Sequence, residues 1–531
     1  MLRYTSQDGA ELAVRHTRSL SRYSEAYLHV QSVPLNESDK YLNCHILFIV
    51  CLAYFVDGFF LTSCIPVFPN FFDAEFGPMG IGLLFALHPV VCLVSYPAAV
   101  CAVDNQGPKT PLLYGLLLLS ISLGCVIYGL TLSDISVAYV FMCVAQCMHG
   151  LASPFVYVSG MALNTMSHVE SCRLRAVYII SLASTLGILI GAPASGALYD
   201  YTNPYTCYAL LLVPLIMDTL VFMTVYNNGH AILVSEVEDE VEIESESVSS
   251  RLLPSEWRFA SKANQSICDL LSNSYILITV GCCILTGIIL GFVCPYGVVY
   301  IRRQFGYSIT VQGGLVGLLY LAGVIVSPIT GQTSSSKYTL QLRSSKFPSR
   351  SRTLMYSGVI VTGLAMCCVV WVISVYVLAV LVGCIGIGLM CMQAPVLTLV
   401  AEIAEWQGFE ISSNSCTIYE LSIYVGLAIG PILGPGLQVA SGGGTRGFTV
   451  ACFVLGLACC LYSIPILRLR DVGKRLGEDA LELDGSVYGR KSLDSIVDGY
   501  SDSVSSRSNK KSFNSSGGPD GYFLEEDSAV F

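Results

Sequence analysis

The sequence is short of charge. Asp, Glu, Lys and Arg make up 12 % of its 531 residues, about half the ~25 % usual in soluble domains, so the chain cannot clothe a large water-facing surface. Bases are scarcer still: 28 Lys and Arg stand against 38 Asp and Glu, a net charge of −10. That balance excludes the basic surface a nucleic acid would need. There is no CxxC pair and no Cys/His cluster, so the 22 cysteines point neither to zinc nor to a disulfide scaffold. Most lie singly in apolar runs such as 281–290 and 451–461, where they serve as small hydrophobes. No nucleophile elbow, phosphate loop or cofactor fingerprint occurs, which argues against an enzyme and leaves no cofactor and no metal to expect. No secretory signal is expected either, because the first 42 residues are polar and charged.

Hydrophobic length is what the chain has. AVILMFWYC account for 53 % of it, with 48 glycines besides. Apolar stretches of 20 residues or more, each able to cross a ~30 Å hydrocarbon core as a helix, recur near 43–66, 80–103, 110–132, 136–160, 174–198, 206–226, 275–301, 311–331, 354–374, 377–401, 413–439 and 447–467. The expected architecture is an all-α polytopic membrane protein of twelve transmembrane helices in two six-helix halves. Its parts are a cytoplasmic arm (1–42), an N-terminal half (43–226), an acidic central loop (227–273), a C-terminal half (274–467) and a disordered tail (468–531). All Lys and Arg except Arg302, Arg303 and Arg446 fall on one side of this arrangement, so both termini are expected in the cytoplasm. Most of the negative charge sits in the central loop, around 236–246, and in the tail, where it bears on solvation and not on substrate. Three Asn-x-Ser sequons, at Asn36, Asn264 and Asn514, fall on that cytoplasmic side and are not expected to carry glycans.

An ionisable side chain inside a membrane helix costs roughly 2.5–3.5 kcal/mol on insertion scales, so the few present are the informative residues. Asp57 lies in span one, His88 in span two, His149 in span four, Asp218 in span six, and Glu420 in span eleven. Glu402 and Glu405 close span ten on one helical face. Asp218 fits a structural carboxylate as well as a transport role, Glu402 fits the headgroup zone, and His149 fits a packing residue. Asp57 and Glu420 are deep in apolar helices and suit a proton-coupled cation carrier. Tyr296, Tyr419 and Tyr424 offer aromatic faces to a cation, though tyrosines in spans also serve packing. Span five carries Gly187, Gly191, Pro193 and Gly196, and span eleven carries Gly426, Gly430, Pro431 and Gly434. Small residues and prolines at matched places in the two halves let helices approach and bend.

With these residues in place, the chain resembles the major facilitator superfamily and, within it, the vesicular amine (monoamine and acetylcholine) transporters. The resemblance runs over about residues 45–470. Asp57-x-x-x-Leu61-Thr62-x-x-x-Pro66-x-x-Pro69 is similar to the family's first-span signature, and Gly82-Leu83-Leu84-Phe85-Ala86 to its second-span opening. Residues 187–196 resemble its fifth-span antiporter motif, with Ala192 in place of Gly. Leu270-Leu271-x-x-x-Tyr275-Ile276-Leu277-Ile278 with Pro295 resembles its seventh-span region, and Ala428-Ile429-Gly430-Pro431 its eleventh. The resemblance implies a site near the midplane: Asp57 meeting a substrate ammonium, and Glu405, Glu420 and Asp218 at carboxylate positions used for proton exchange. His88 stands where a lysine pairs with the span-eleven carboxylate, which makes a His88–Glu420 pair a candidate proton carrier. The sequence also departs from the pattern. Gln146-Cys147-Met148-His149-Gly150 lacks the arginine of the span-four motif, Cys294 replaces a span-seven glutamate, and the 104–107 loop lacks its arginine. The first outer loop is reduced to about 67–79. These changes bear on specificity and coupling.

The expected function is secondary transport of a small organic solute, of the cationic amine class, by alternating access with proton antiport, in an intracellular vesicle or plasma membrane. The partners are then a small-molecule substrate, protons and the lipid bilayer, with oligomeric state open. Two alternatives stand: a facilitator or drug exporter of the same fold without that coupling, and a non-transporting sensor or scaffold acting through the tail.

Overall fold

Helices dominate because the apolar runs leave the backbone no partner but itself inside a bilayer. The computed structural model describes residues 37–168, 170–238, 274–334, 348–406 and 413–468. The N-terminal arm before 37, most of the central loop, the tail beyond 468 and the asparagines of all three sequons lie outside the described residues. In chain order the helices are α1 (Glu37–Gln106), α2 (Lys109–Thr131), α3 (Ile135–Ser167), α4 (Glu170–Tyr201), α5 (Thr206–Glu238), α6 (Ser274–Phe305), α7 (Ile309–Ser334), α8 (Pro348–Cys368), α9 (Val375–Trp406), α10 (Ser413–Ala440) and α11 (Gly444–Arg468).

Among the described residues, eleven helices are long and apolar enough to cross a membrane, the first spanning the 63 residues Cys44–Gln106. At 1.5 Å per residue that stretch is about 95 Å long, far beyond one ~30 Å crossing. It is broken at Gly77, whose φ of 61° and ψ of −170° are non-helical, so α1 supplies two arms and two crossings. The remaining helices supply spans three to twelve in order.

The break corrects one expectation. The segment 67–79 reads as a loop, yet the helix continues through Pro66 and Pro69 up to Gly77. Phe68 and Phe72 are buried, Phe72 and Phe76 both pack their rings on Tyr139, and Tyr139 donates a hydrogen bond to the Gly80 carbonyl at 2.8 Å. This aromatic packing holds the extra turns, and the connection shrinks to one left-handed glycine followed by Pro78, a residue favoured in a first helical turn.

Lipid as solvent removes the hydrophobic drive for helix association, so close packing and hydrogen bonds must supply it. Hydroxyls and thiols of one helix donate to backbone carbonyls of another: Ser95 to Gly150, Ser122 to Ala145, Ser195 to Ser63, Tyr462 to Ile278 and Cys459 to Val359. Large apolar residues such as Val94, Ile121, Val140, Leu182, Leu210 and Leu457 remain exposed on the outside of the bundle, the surface a bilayer would cover.

The matched glycines form two seams. In α4, Gly187 and Gly191 lie against the backbone of Phe55 and Phe59 in the first arm of α1. Farther along, Ala192, Pro193 and Gly196 lie against Gly313, Gly317 and Ile309 of α7. In α10, Gly426 and Gly430 lie against Ile284 and Ile288 of α6, while the Pro431 carbonyl lies against Gly82 in the second arm of α1. Each of these helices therefore touches a helix of its own six spans and one of the other six. Side chains at the seams would separate the backbones, which is why the positions are small.

A candidate transport site between the two groups of spans

Asp57 is buried in the first arm of α1, where its Oδ1 accepts two hydrogen bonds from α3: His149 Nε2 at 3.0 Å and Ser153 Oγ at 2.6 Å. His149 and Ser153 are four residues apart and so share one helical face. The His149 ring stacks on Phe60 with centroids 4.3 Å apart, and the His88 ring, from the second arm of α1, lies 4.4 Å away. His88 Nε2 is 3.5 Å from Ser153 Oγ and 3.6 Å from Cys92 Sγ. The cluster thus draws on three crossings of the first six.

α10 brings the second carboxylate from the last six. Tyr54, Tyr157, Tyr424 and Cys92 each lie within electrostatic reach of both Asp57 and Glu420. Tyr424 approaches His88 edge-on with centroids 6.5 Å apart. Tyr54 and Tyr157 pack together at 4.5 Å, Tyr54 donating to the Tyr157 carbonyl and the Tyr157 hydroxyl meeting Ser184 of α4 at 3.0 Å. Asp57, His88, His149 and Ser153 are buried, whereas Glu420, Tyr157 and Tyr424 are only partly so. Two acidic groups, two imidazoles and three phenols therefore share one place at the boundary between the two groups of spans. In such a low-dielectric setting an unpaired carboxylate attracts a cation far more strongly than in water.

The sequence-predicted residues divide on this geometry. Asp57, Glu420, His88 and Tyr424 come together. The direct His88–Glu420 ion pair is not among the described contacts; His88 turns toward α3 instead. Tyr419 is half-buried next to Glu420 in α10. Glu402 and Glu405 lie in the last turns of α9, and their side chains fall outside the described residues. Asp218 is buried in α5, and neither of its carboxylate oxygens has a hydrogen-bond partner among the described residues. The direct partners of Asp57 are His149, which the sequence reads as a packing residue, and Ser153, which the sequence does not single out; their spacing of four was the available signal.

Tyr296 of α6 is placed elsewhere, in a seal at the Gly77 end of the first arm of α1. Its buried hydroxyl lies within hydrogen-bond distance of the Pro78 carbonyl at 2.8 Å and the Pro431 carbonyl at 2.9 Å. Nearby, Arg302 and Arg303 of α6 both reach Asp73 Oδ2 at 2.7 Å. The Asp73 side chain is 2 % exposed, against 35 % and 37 % for the two arginines. Arg302 also donates to Asn70, whose amide meets Gln312 Oε1 at 2.6 Å. Asp200, at the end of α4, accepts from the Thr310 backbone N–H at 2.7 Å and hydroxyl at 2.6 Å, capping α7 from the other group of spans. One end of the bundle is therefore closed by polar contacts between the two groups.

A seam-packed bundle of two six-span groups, a polar cluster between them and a seal at one end form the plan of an alternating-access carrier. The family model described as Major Facilitator Superfamily matches residues 50–421. The chain belongs to that superfamily. It is a secondary transporter and not an enzyme. Among curated relatives, the vesicular acetylcholine transporter of Drosophila melanogaster is 23 % identical over 396 residues, covering 74 % of this chain and 60 % of that protein. The probable vesicular acetylcholine transporter-B of Danio rerio is 23 % identical over 442 residues, covering 80 % of this chain and 79 % of the relative. The Rattus norvegicus vesicular acetylcholine transporter is 22 % identical over 403 residues, covering 76 % and 68 %. Solved structures share the fold. A peptide transporter, POT, in complex with sulfate matches with a TM-score of 0.57 at 14 % identity, covering 81 % of this chain and 95 % of that one. The nucleoside transporter NupG matches with a TM-score of 0.56 at 9 % identity, covering 81 % and 98 %.

Proposed function

We propose that this transporter carries a small organic cation, of the amine class, in exchange for protons, in an intracellular vesicle membrane or the plasma membrane with both termini in the cytoplasm. The observation that carries the reading is the convergence of Asp57 and Glu420, one from each group of spans, on the same four residues at their boundary. A cation bound there engages both groups at once, which is how occupancy can drive their relative movement. Asp57 meets the ammonium, with Tyr157 and Tyr424 beside it as aromatic faces; Glu420, with Glu405, exchanges protons. The names of the acetylcholine-transporting relatives support the cationic class. The Lys and Arg asymmetry sets the sealed end away from the cytoplasm. Arg302 and Arg303, two of the three bases on that side, are then the ones taken up by Asp73.

Reconstitution into acid-inside vesicles with labelled amines, acetylcholine included, tests the reading. Uptake should vanish in Asp57→Asn and collapse when the pH gradient is dissipated. Uptake that survives Asp57→Asn overturns the role of Asp57, and uptake indifferent to the gradient favours the facilitator alternative.

A further inference from the structure

The cation reading assigns Asp57 a substrate but does not account for the imidazole bonded to it. His149 is 1 % exposed. Its Nε2 meets Asp57 Oδ1 at 3.0 Å, while its Nδ1 is buried with no hydrogen-bond partner among the described residues. A neutral imidazole that donates through Nε2 keeps its lone pair on Nδ1. The arrangement is thus a hydrogen bond to the substrate-binding carboxylate at one ring nitrogen and an empty proton-accepting atom at the other. Phe60 and His88 flank the ring, so it cannot swing away without repacking both.

We infer that His149 is the residue through which a proton and the substrate cation compete for Asp57. This inference rests on the cation reading of Asp57. A proton added at Nδ1 converts the His149–Asp57 hydrogen bond into an imidazolium–carboxylate ion pair and cancels the negative charge that would hold an ammonium. Entry of the ammonium makes that second positive charge unfavourable, and the proton leaves Nδ1 for water on the side to which the site is open. Either cation, but not both, balances Asp57, which gives one proton displaced per substrate bound.

The surroundings fit a single exchangeable proton on the imidazole pair, separate from the one Glu420 exchanges. His149 itself meets Asp57 and Phe60 of the first arm of α1 and His88 of the second; around Asp57 and His88 lie Tyr54 and Cys92 of α1, Ser153 and Tyr157 of α3, and Tyr424 and Glu420 of α10. Phenols and thiols are ordinarily uncharged at neutral pH. His88 is a second imidazole, and two imidazoliums at this separation repel, so the pair holds one proton at a time. Glu420 adds negative potential that helps retain it. Ser153 bonds the same Asp57 oxygen as His149 and keeps the carboxylate aimed when the proton leaves.

Binding experiments on the full-length protein in detergent test this, with acetylcholine and phenethylamine as probe cations and a pH dye in weak buffer. Wild type should release up to one proton per cation bound, with affinity weakening about tenfold per pH unit on the acid side. His149→Gln keeps an N–H donor for Asp57 but cannot take a proton, so it should bind with pH-independent affinity and release none. His168→Gln, outside the cluster, should behave as wild type. Release at wild-type level in His149→Gln overturns the inference, because the proton then comes from another group. Cation binding unaffected by Asp57→Asn, or no binding of either probe to wild type, overturns the underlying reading and the inference with it. If His149→Gln does not fold, infrared difference spectra of wild type with isotope-labelled histidine decide: cation binding must convert an imidazolium band to a neutral imidazole band, and no such change overturns the inference.

Discussion

Asp57 and Asp73 lie on the same arm of α1, both buried, and differ in what answers their charge. Asp73 is held by two guanidiniums that never lose their protons, so its pairing is either made or mechanically pulled apart. Asp57 is held by an imidazole and a hydroxyl, partners that can be neutral, so its charge can be left available or cancelled without moving a helix. A carrier needs both kinds of carboxylate: one that trades partners and one that latches a conformation. The difference explains why the first sits between the two groups of spans and the second at their closed end.

The sharpest way to break the comparison is at Asp57. Asp57→Asn keeps the shape but removes the charge a substrate ammonium needs, and losing one partner of a desolvated pair costs about 2–5 kcal/mol. Transport should fall by roughly two orders of magnitude or more, read as initial uptake at saturating gradient. Glu420→Gln should act differently. It should cut gradient-driven accumulation by at least about tenfold, the scale of one lost coupling interaction of ~1.4 kcal/mol, while cation–cation exchange without a gradient continues. Equal loss of both activities in Glu420→Gln would place Glu420 with Asp57 in substrate binding.

The latch should respond in conformation before chemistry. At Gly82 an added methyl meets the Pro431 carbonyl and the Tyr296 hydroxyl. Gly82→Ala therefore destabilises the sealed state by about 1–3 kcal/mol, the scale of overpacking. Asp73→Asn releases two arginines that already reach water, so its cost is smaller, about 1 kcal/mol. Hydrogen–deuterium exchange should show peptides over 67–80 and 302–312 exchanging faster in both variants, by roughly tenfold or more for Gly82→Ala and about fivefold for Asp73→Asn. Unchanged protection in both would mean that the polar contacts do not hold the end shut.

The number of crossings was legible in the sequence because twenty apolar residues in a row have one use. The seams were legible for a related reason: glycines at matched places in spans five and eleven announce close backbone approach. The helical extension to Gly77 was not, since 67–79 reads as a short outer loop and only the packing around Tyr139 shows what stabilises those turns. Asp57 and Glu420 stood out by the cost of burying charge. Their neighbours did not, because which face of α3 meets α1 is a matter of helix packing, and a lone histidine in an apolar span carries no mark of its partner. Tyr296 shows the converse. An aromatic residue in a membrane helix suggested a cation, and the structure spends its hydroxyl on two carbonyls at the seal.

Asp218 sets the lower end of the scale. It is as buried as Asp57, yet among the described residues nothing hydrogen-bonds either of its oxygens, and it joins neither the cluster nor the seal. A carboxyl group that neither binds nor latches contributes mainly the penalty of an unsatisfied polar group, about 1–3 kcal/mol. Asp218→Leu should therefore raise the thermal stability of the purified protein and change transport by less than about twofold, the scale of substitutions away from functional contacts. A large loss of gradient-driven uptake, with exchange intact as in Glu420→Gln, would show instead that Asp218 carries a proton. The comparison would then need a third kind of buried carboxylate, one that works without a fixed partner.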